Sequence, residues 1–96
     1  METVKTVYTS ALKYAKRIRI VKGEYEDGSL YIGLYTMSGE PYCDITTNVF
    51  NMPKPWGTVL ANSEAEAFVK EQNLGWFAYL VYGNCFNTYH TYDFKI

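Results

Sequence analysis

The chain has 96 residues, of which 48% are apolar and 20% are charged, and its formal net charge is −1. The length fits one domain spanning residues 1–96. The composition excludes a disordered chain, collagen, a coiled coil, a membrane span and a disulfide scaffold. A charge this close to neutral excludes an overall basic field that would attract nucleic acid or a membrane. Tyrosine is unusually frequent, with 10 residues.

The charge is unevenly distributed along the chain. Residues 1–22 carry six cations and one acid, giving +5, whereas residues 23–96 carry three cations and nine acids, giving −6. This asymmetry indicates either a contact site for an anionic partner or a basic strand that lies beside acidic strands.

The first residues indicate a compartment more clearly than a secondary structure. Met1 to Lys5 lack the apolar run of a signal peptide, so we expect a cytoplasmic protein with no membrane partner. In that compartment Cys43 and Cys85 are expected to be free thiols. Residues 1–15 combine helical spacing of apolar residues with many Thr, Ser and Val, so helix and strand both stay open.

An antiparallel β-meander is predicted next. Residues 17–25, 29–37 and 42–50 alternate polar and apolar side chains, as half-buried strands do. A three-residue loop with a left-handed Gly28 joins the first two strands, and a two-residue Ser38–Gly39 turn joins the second and third. One face is then apolar, with Ile18, Ile20, Leu30, Ile32, Leu34, Cys43, Ile45 and Val49. The opposite face carries a row of Arg19, Tyr35 and Tyr42, with Arg17 and Tyr31 nearby.

One helix and further strands complete the predicted fold. Two prolines in residues 51–57 predict a loop, in which Trp56 is either tucked under or displayed. Residues 58–61 fit a short strand. The helix begins at the capping box Ser63-x-x-Glu66, with Asn62 as the alternative N-cap, stops at Gly75, and pairs Glu66 with Lys70 on its outside.

The C-terminal region reads as strands. Residues 76–82 form a continuous apolar run, and residues 88–96 alternate and are expected to close the sheet. The fold class is therefore α+β: an antiparallel β-meander with one helix packed on one face and further strands at the C-terminus.

Four short segments stand in the order of a known family: Gly39-Glu40-Pro41-Tyr42, Thr46-Thr47-Asn48-Val49, Gln72-Asn73-Leu74-Gly75 and Thr91-Tyr92-Asp93-Phe94. They resemble segments of the family called domain of unknown function 4313, over about residues 18–96, with a departure between Phe50 and Asn62. The resemblance implies no established activity. It implies a habitat in bacteria, phages and integrative elements, where small proteins often bind and modulate host machinery.

Catalytic and cofactor motifs are lacking in this sequence. One histidine and two distant cysteines do not supply the clustered ligands of a zinc site. A Cys85–His90 nucleophile would need a group that orients the imidazole, and Asp93 falls on the opposite strand face. We therefore expect no enzyme, no cofactor and no metal site.

The aromatic face is the main functional feature of the sequence. Tyrosine, tryptophan and arginine are enriched at interface hot spots, so the candidate partner-binding residues are Arg17, Arg19, Tyr31, Tyr35, Tyr42 and Trp56. Our first hypothesis is a small non-enzymatic protein-binding module, an inhibitor of a host defence system such as CRISPR or restriction. The alternatives are a single-stranded nucleic-acid binder that uses the Tyr/Arg face and a homodimeric structural protein. If another segment covers this face, the face is a second core instead.

Overall fold

The computed structural model describes residues 1–48 and 52–96 and shows the predicted α+β fold. The elements in chain order are β1 (Glu2–Tyr8), β2 (Arg17–Glu24), β3 (Leu30–Tyr35), β4 (Pro41–Asp44), β5 (Trp56–Leu60), α1 (Glu64–Gln72), β6 (Gly75–Gly83) and β7 (Thr88–Phe94). Residues 1–15, for which helix and strand were both open, thus supply a strand. Within the described ranges, no helix is long and apolar enough to cross a membrane.

The strands form two antiparallel sheets rather than one. The first has the order β1-β2-β3-β4, which is the predicted meander with β1 added at its edge. The second has the order β5-β7-β6. The expectation that the C-terminal strand closes the meander is therefore wrong, because β7 is the central strand of a separate sheet.

The predicted register between β2 and β3 is confirmed. Arg19 lies opposite Tyr35 and Ile20 lies opposite Leu34. The connecting loop has Gly28 at a φ of 85°, and the Tyr25 N–H donates to the Ser29 carbonyl at its base. Residues of antiparallel strands that lie directly opposite each other project to the same side. The alternation of these strands therefore sets their buried and outer faces as predicted.

The predicted pairing of Tyr35 with Tyr42 is wrong. The hydrogen bond from the Thr36 N–H to the Glu40 carbonyl encloses a turn of three residues, 37–39, instead of the predicted two, and Gly39 has a φ of 92°. Tyr35 therefore pairs with Pro41, and the register shifts before Leu34 pairs with Cys43. A bulge of this kind turns an extra side chain away from the regular alternation. Tyr42 consequently packs against the core instead of extending the outer row.

One apolar core lies among the two sheets and the helix. The buried members of the predicted apolar face are Ile18, Ile20, Leu30, Ile32, Leu34 and Ile45. Cys43 is half-buried against them, and Val49 lies outside the described residues. The helix adds Phe68 and Val69, and the second sheet adds Val59, Tyr92 and Phe94.

The helix begins as predicted but ends earlier. Ser63 is the N-cap, and its hydroxyl accepts a hydrogen bond from the Glu66 N–H. The C-cap is Asn73, at a φ of 52°, and Gly75 already belongs to β6. The expectation that Glu66 pairs with Lys70 on the outside is wrong, since Glu66 is only 2% exposed. Its carboxylate instead accepts a hydrogen bond from the Asn62 N–H and faces β7.

Candidate functional site

Four of the six predicted binding residues share one surface. Arg17, Arg19, Tyr31 and Tyr35 lie at alternate positions of β2 and β3, on the side opposite the core. Arg17 is exposed, whereas the other three are half-buried. No helix packs over this outer face in the described part of the chain.

Tyr31 lies along the sheet instead of standing free. Its ring fills the space over Gly33, where a Cβ atom would overlap the tyrosine hydroxyl. The hydroxyl donates to Asp44 Oδ1 at 2.8 Å, and the ring meets the edge of Tyr25 at a centroid distance of 5.5 Å. Burial first, and then the hydrogen bond to Asp44, raise the pKa of Tyr31. Tyr31 thus belongs to the packing of the sheet more than to a free stacking platform.

Tyr42 and Trp56 lie elsewhere. The Tyr42 hydroxyl donates to Glu64 Oε1 at 2.6 Å and accepts a hydrogen bond from the Tyr14 N–H, which ties β4 to the start of the helix. Trp56 begins β5 in the other sheet, opposite Asp93, and is half-buried. The six predicted residues therefore do not form one site.

Six of the eleven exposed large apolar side chains of the described residues lie on β6 or in the turn after it, a segment that sequence reasoning did not select. Trp76 is 68% exposed, Tyr79 84% and Val81 58%, and Phe77 and Leu80 are exposed by more than a third. In the turn after β6, Phe86 is 91% exposed. We call these six residues the β6 surface: Trp76, Phe77, Tyr79, Leu80, Val81 and Phe86. Among the described residues, β6 pairs only with β7, so its other edge is free.

A strained bulge occupies the middle of β6. Phe77 pairs with Tyr92 and Val81 with His90, so four positions of β6 span two of β7. Tyr79 lies inside this bulge with a φ of 58°, in the left-handed region that a bulky residue rarely adopts. Its ring stacks on Phe77 at a centroid distance of 4.9 Å and an angle of 19°. The strained backbone of the bulge thus places the stacked rings of Phe77 and Tyr79 at the edge of the sheet.

A buried polar cluster lies beneath Phe77. The His90 Nδ1–H donates to Glu66 Oε2 at 2.6 Å, and the Tyr92 hydroxyl donates to the same oxygen at 2.9 Å. The Phe77 ring lies 5.1 Å from the His90 ring and 5.7 Å from the Tyr92 ring, between centroids. Glu66 is therefore the group that orients the imidazole. From the sequence, only Asp93 was considered for this role.

The electrostatics of this cluster follow from its hydrogen bonds. Burial acts to raise the pKa of the Glu66 carboxyl, but hydrogen bonds from the Asn62 N–H, His90 and Tyr92 outweigh it and lower the pKa. Burial, and then the carboxylate of Glu66, raise the pKa of Tyr92. Glu66 is thus an ionised acceptor for two side-chain donors, which fixes both rings under Phe77.

The hairpin that carries the β6 surface is uncharged. Residues 75–92 include no Asp, Glu, Lys or Arg. In the turn, the Phe86 and Asn87 N–H groups both donate to Asn84 Oδ1, at 2.9 and 2.8 Å. The absence of charge was visible in the sequence. From the sequence, residues 76–82 are predicted only as an apolar strand and are not selected as a surface.

Comparisons with known proteins give no relative of this chain. Neither a protein-family model, nor a curated protein, nor a solved structure matches it.

Proposed function

We propose that this chain is a non-enzymatic protein-binding module and that its partner docks on the β6 surface. The observation that carries the proposal is a free sheet edge that displays aromatic side chains in an uncharged hairpin. Sheet edges are normally protected by charged residues, proline or a covering element. β1, the other described edge strand with many exposed residues, carries Glu2 and Lys5.

The exposed area is large enough for a binding site. We multiply the exposed fraction of each aromatic side chain by about 200 Å² per ring system. The sum is roughly 550 Å² of exposed aromatic surface for Trp76, Phe77, Tyr79 and Phe86. Apolar patches beyond a few hundred Å² are uncommon on monomers and mark interaction sites. A standard interface buries about 800 Å² on each partner. Trp76 and Phe77 pair with successive residues of β7 and therefore project to opposite faces of β6, so this area is divided between two faces of the edge strand and supplies part of one side.

The chemistry of the surface defines the partner. Residues 75–92 contain no Asp, Glu, Lys or Arg, so the partner surface is expected to be apolar where it meets Tyr79 and Phe86. At Trp76, Lys95 Nζ lies 5.9 Å from the ring centre and Asp93 is the cross-strand neighbour, so polar groups are expected at that end. Trp76 and Tyr79 are the expected anchors, since buried tryptophan and tyrosine dominate binding energy at interfaces. The bulge at Tyr79 interrupts the strand edge, so side chains rather than a long added strand are expected to carry the contact.

The resemblance found in the sequence supplies the partner class to test first. It implies mobile elements, and the proposed partner is accordingly a protein of a host defence system, such as a CRISPR effector or a restriction enzyme. A second copy of this chain is the alternative occupant, since an uncharged surface meets no charge repulsion from itself.

Affinity capture with matched variants tests the proposal. The tagged chain, a Trp76→Ser/Tyr79→Ser variant and a Tyr14→Ser control are incubated with purified defence proteins and with host lysate. Tyr14 is 87% exposed and lies in the β1–β2 connection, away from β6. We expect a partner that the wild type and the control retain and the double variant loses. Equal capture by all three proteins would contradict the proposal.

Mass measurement in solution separates the two occupants. A dimer of the wild type that the double variant converts to a monomer would assign the β6 surface to a second copy. A monomeric wild type leaves the surface free for a different protein, as proposed.

A further inference from the structure

The outer face of the first sheet forms a second surface, distinct from the β6 surface. Tyr8 lies opposite Arg17, and Thr6 lies opposite Arg19, across β1 and β2. Arg19 in turn lies opposite Tyr35 across β2 and β3. These side chains project to one side, away from the core residues between them. The outer face therefore carries two rows of side chains, Tyr8–Arg17 and Thr6–Arg19–Tyr35, in each of which an arginine of β2 lies beside a tyrosine.

Tyr8 and Arg17 are in direct contact and open to solvent. The Arg17 guanidinium carbon lies 5.6 Å from the centre of the Tyr8 ring. Tyr8 is 75% exposed, and Tyr14, in the connection between β1 and β2, is 87% exposed. An exposed ring beside a guanidinium presents a stacking plane for a base and a cation for a phosphate.

The positive charge of this region is not neutralised by close ion pairs. Within the described residues, Lys54 and Glu24 form an ion pair shorter than 4.0 Å, and the His90 imidazole lies within the same distance of the Glu66 carboxylate as a hydrogen-bond donor. None of the six cations of residues 1–22 takes part in either contact. The strands that flank β2 also carry little acid, since β1 holds only Glu2 and β3 holds none. The acid that does flank β2 is Glu2, which lies opposite Lys22 at the far end of the strand from Arg17.

Nearby acidic groups on the helix are engaged by backbone and hydroxyl donors. Glu71 accepts hydrogen bonds from the Thr9 hydroxyl and from the Ser10 N–H and hydroxyl. Glu64 accepts from the Lys13 N–H and the Tyr42 hydroxyl. These contacts hold the β1–β2 connection against the helix, which positions Tyr14 and Lys16 next to the start of β2.

We propose that this outer face binds single-stranded nucleic acid, with a base stacked on Tyr8 and phosphates held by Arg17 and the adjacent Lys16. The chemistry favours this ligand over an acidic peptide, because an acidic peptide needs the cations but not the open aromatic ring of Tyr8 beside them. The site lies on a different sheet from the β6 surface and does not depend on the proposed function. It also moves the stacking platform from Tyr31 and Tyr42, which are engaged in packing, to Tyr8.

Fluorescence anisotropy of a labelled oligothymidylate of about 15 nucleotides tests the proposal on the full chain. With two phosphates contacted, raising the salt from about 50 to 200 mM weakens binding roughly 7-fold. Tyr8→Ser is expected to weaken binding by about 5-fold or more, whereas Tyr14→Ser, a change at a similarly exposed tyrosine that lies beside Tyr42 and off this face, leaves it unchanged. Arg17→Gln weakens binding and lowers the salt slope, whereas Lys70→Gln, the same charge change on the helix, does not.

Three outcomes would overturn the proposal. The first is no anisotropy change at low salt. The second is equal weakening by Arg17→Gln and Lys70→Gln, which would show attraction by net charge alone. The third is displacement of the oligonucleotide by polyglutamate at equal charge concentration together with no effect of Tyr8→Ser, which would assign the face to an acidic protein segment. Circular dichroism of each variant establishes that the fold is retained.

Discussion

Phe77 lies over His90, with 5.1 Å between their ring centroids, and so joins an exposed strand to a buried charge. The imidazole is held in place by its hydrogen bond to Glu66. The exposed Tyr79 ring in turn stacks on the Phe77 ring. The exposed pair Phe77 and Tyr79 therefore packs on a ring, His90, that a buried hydrogen bond holds in place. Rigid aromatic anchors lose little conformational entropy on binding, which fits a surface that is organised before its partner arrives.

The Glu66 cluster predicts the acid sensitivity of the fold. Glu66→Gln leaves two side-chain donors without a charged acceptor, so we expect it to lower the free energy of unfolding by about 2–3 kcal/mol near neutral pH. The pKa of Glu66 is lowered in the fold. The contribution of Glu66 to the free energy of unfolding is therefore complete at pH values above its pKa in the unfolded chain, about 4.3. It is lost as the pH falls through the lower pKa that Glu66 has in the folded protein.

Urea unfolding at a series of pH values measures this effect. The wild type should lose stability below the unfolded pKa of glutamate, and the profile of Glu66→Gln should be flatter over the same range. Glu26→Gln, a change at an exposed glutamate in the β2–β3 turn, serves as the control and should follow the wild type. Parallel profiles for Glu66→Gln and the wild type would contradict the prediction.

The two glycines that bound β6 should differ in their tolerance of a methyl group. A Cβ atom at Gly75 would lie 2.7 Å from the Asp93 carbonyl oxygen and 2.9 Å from the Phe94 Cα. Both are backbone atoms of β7, the strand that pairs with β6. We expect Gly75→Ala to cost about 1–3 kcal/mol by overpacking. At Gly83 the nearest atom is 3.4 Å away, so Gly83→Ala should unfold at nearly the wild-type denaturant concentration. Equal midpoints for the two variants would refute the assigned packing.

Tyr79 should contribute to binding at the expense of stability. Its φ of 58° is strained for any residue with a Cβ, which costs of order 1 kcal/mol or more. Since the side chain is 84% exposed, Tyr79→Gly should leave the free energy of unfolding within about 1 kcal/mol of the wild type, or raise it, once the flexibility of glycine is included.

Partner capture by the same variants separates the two roles. Tyr79→Gly should lose the partner although it folds, whereas Tyr79→Phe keeps the ring stacked on Phe77 and should retain it. A destabilised Tyr79→Gly that still captures the partner would show that Tyr79 has a structural role only.

The two thiols should react at different rates. Burial first, and then the negative charges of Glu64 and Asp44, raise the pKa of Cys43 to about 11, whereas Cys85 is exposed. Alkylation requires the thiolate, which is a very small fraction of Cys43 near pH ~8. Mass spectrometry during iodoacetamide treatment should show one adduct on Cys85 first and Cys43 modified at a comparable rate only after unfolding. Equal rates in the native protein would contradict the burial of Cys43.

Alternation along the strands determined much of the fold without any structure. Period-two patterns in β2 and β3 and a left-handed glycine in the β2–β3 loop were sufficient to place Arg19 opposite Tyr35 and six buried residues on one face. The helix start was equally local, since the Ser63 hydroxyl and the Glu66 N–H lie within one turn. These features depend on neighbours a few residues apart, which is why the sequence predicted them.

Tertiary structure decided the site. A one-residue difference in the β3–β4 loop turned Tyr42 from the outer face into the core, and sequence pattern does not distinguish loops that differ by one residue. Burial of Glu66 depended on β7, 24 positions away. The sequence identified an uncharged aromatic run at residues 76–82. Only the packing showed that a nine-residue helix lies beside β5 and leaves β6 exposed at the edge of a three-stranded sheet, because exposure depends on which element covers a face and not on the residues of that face.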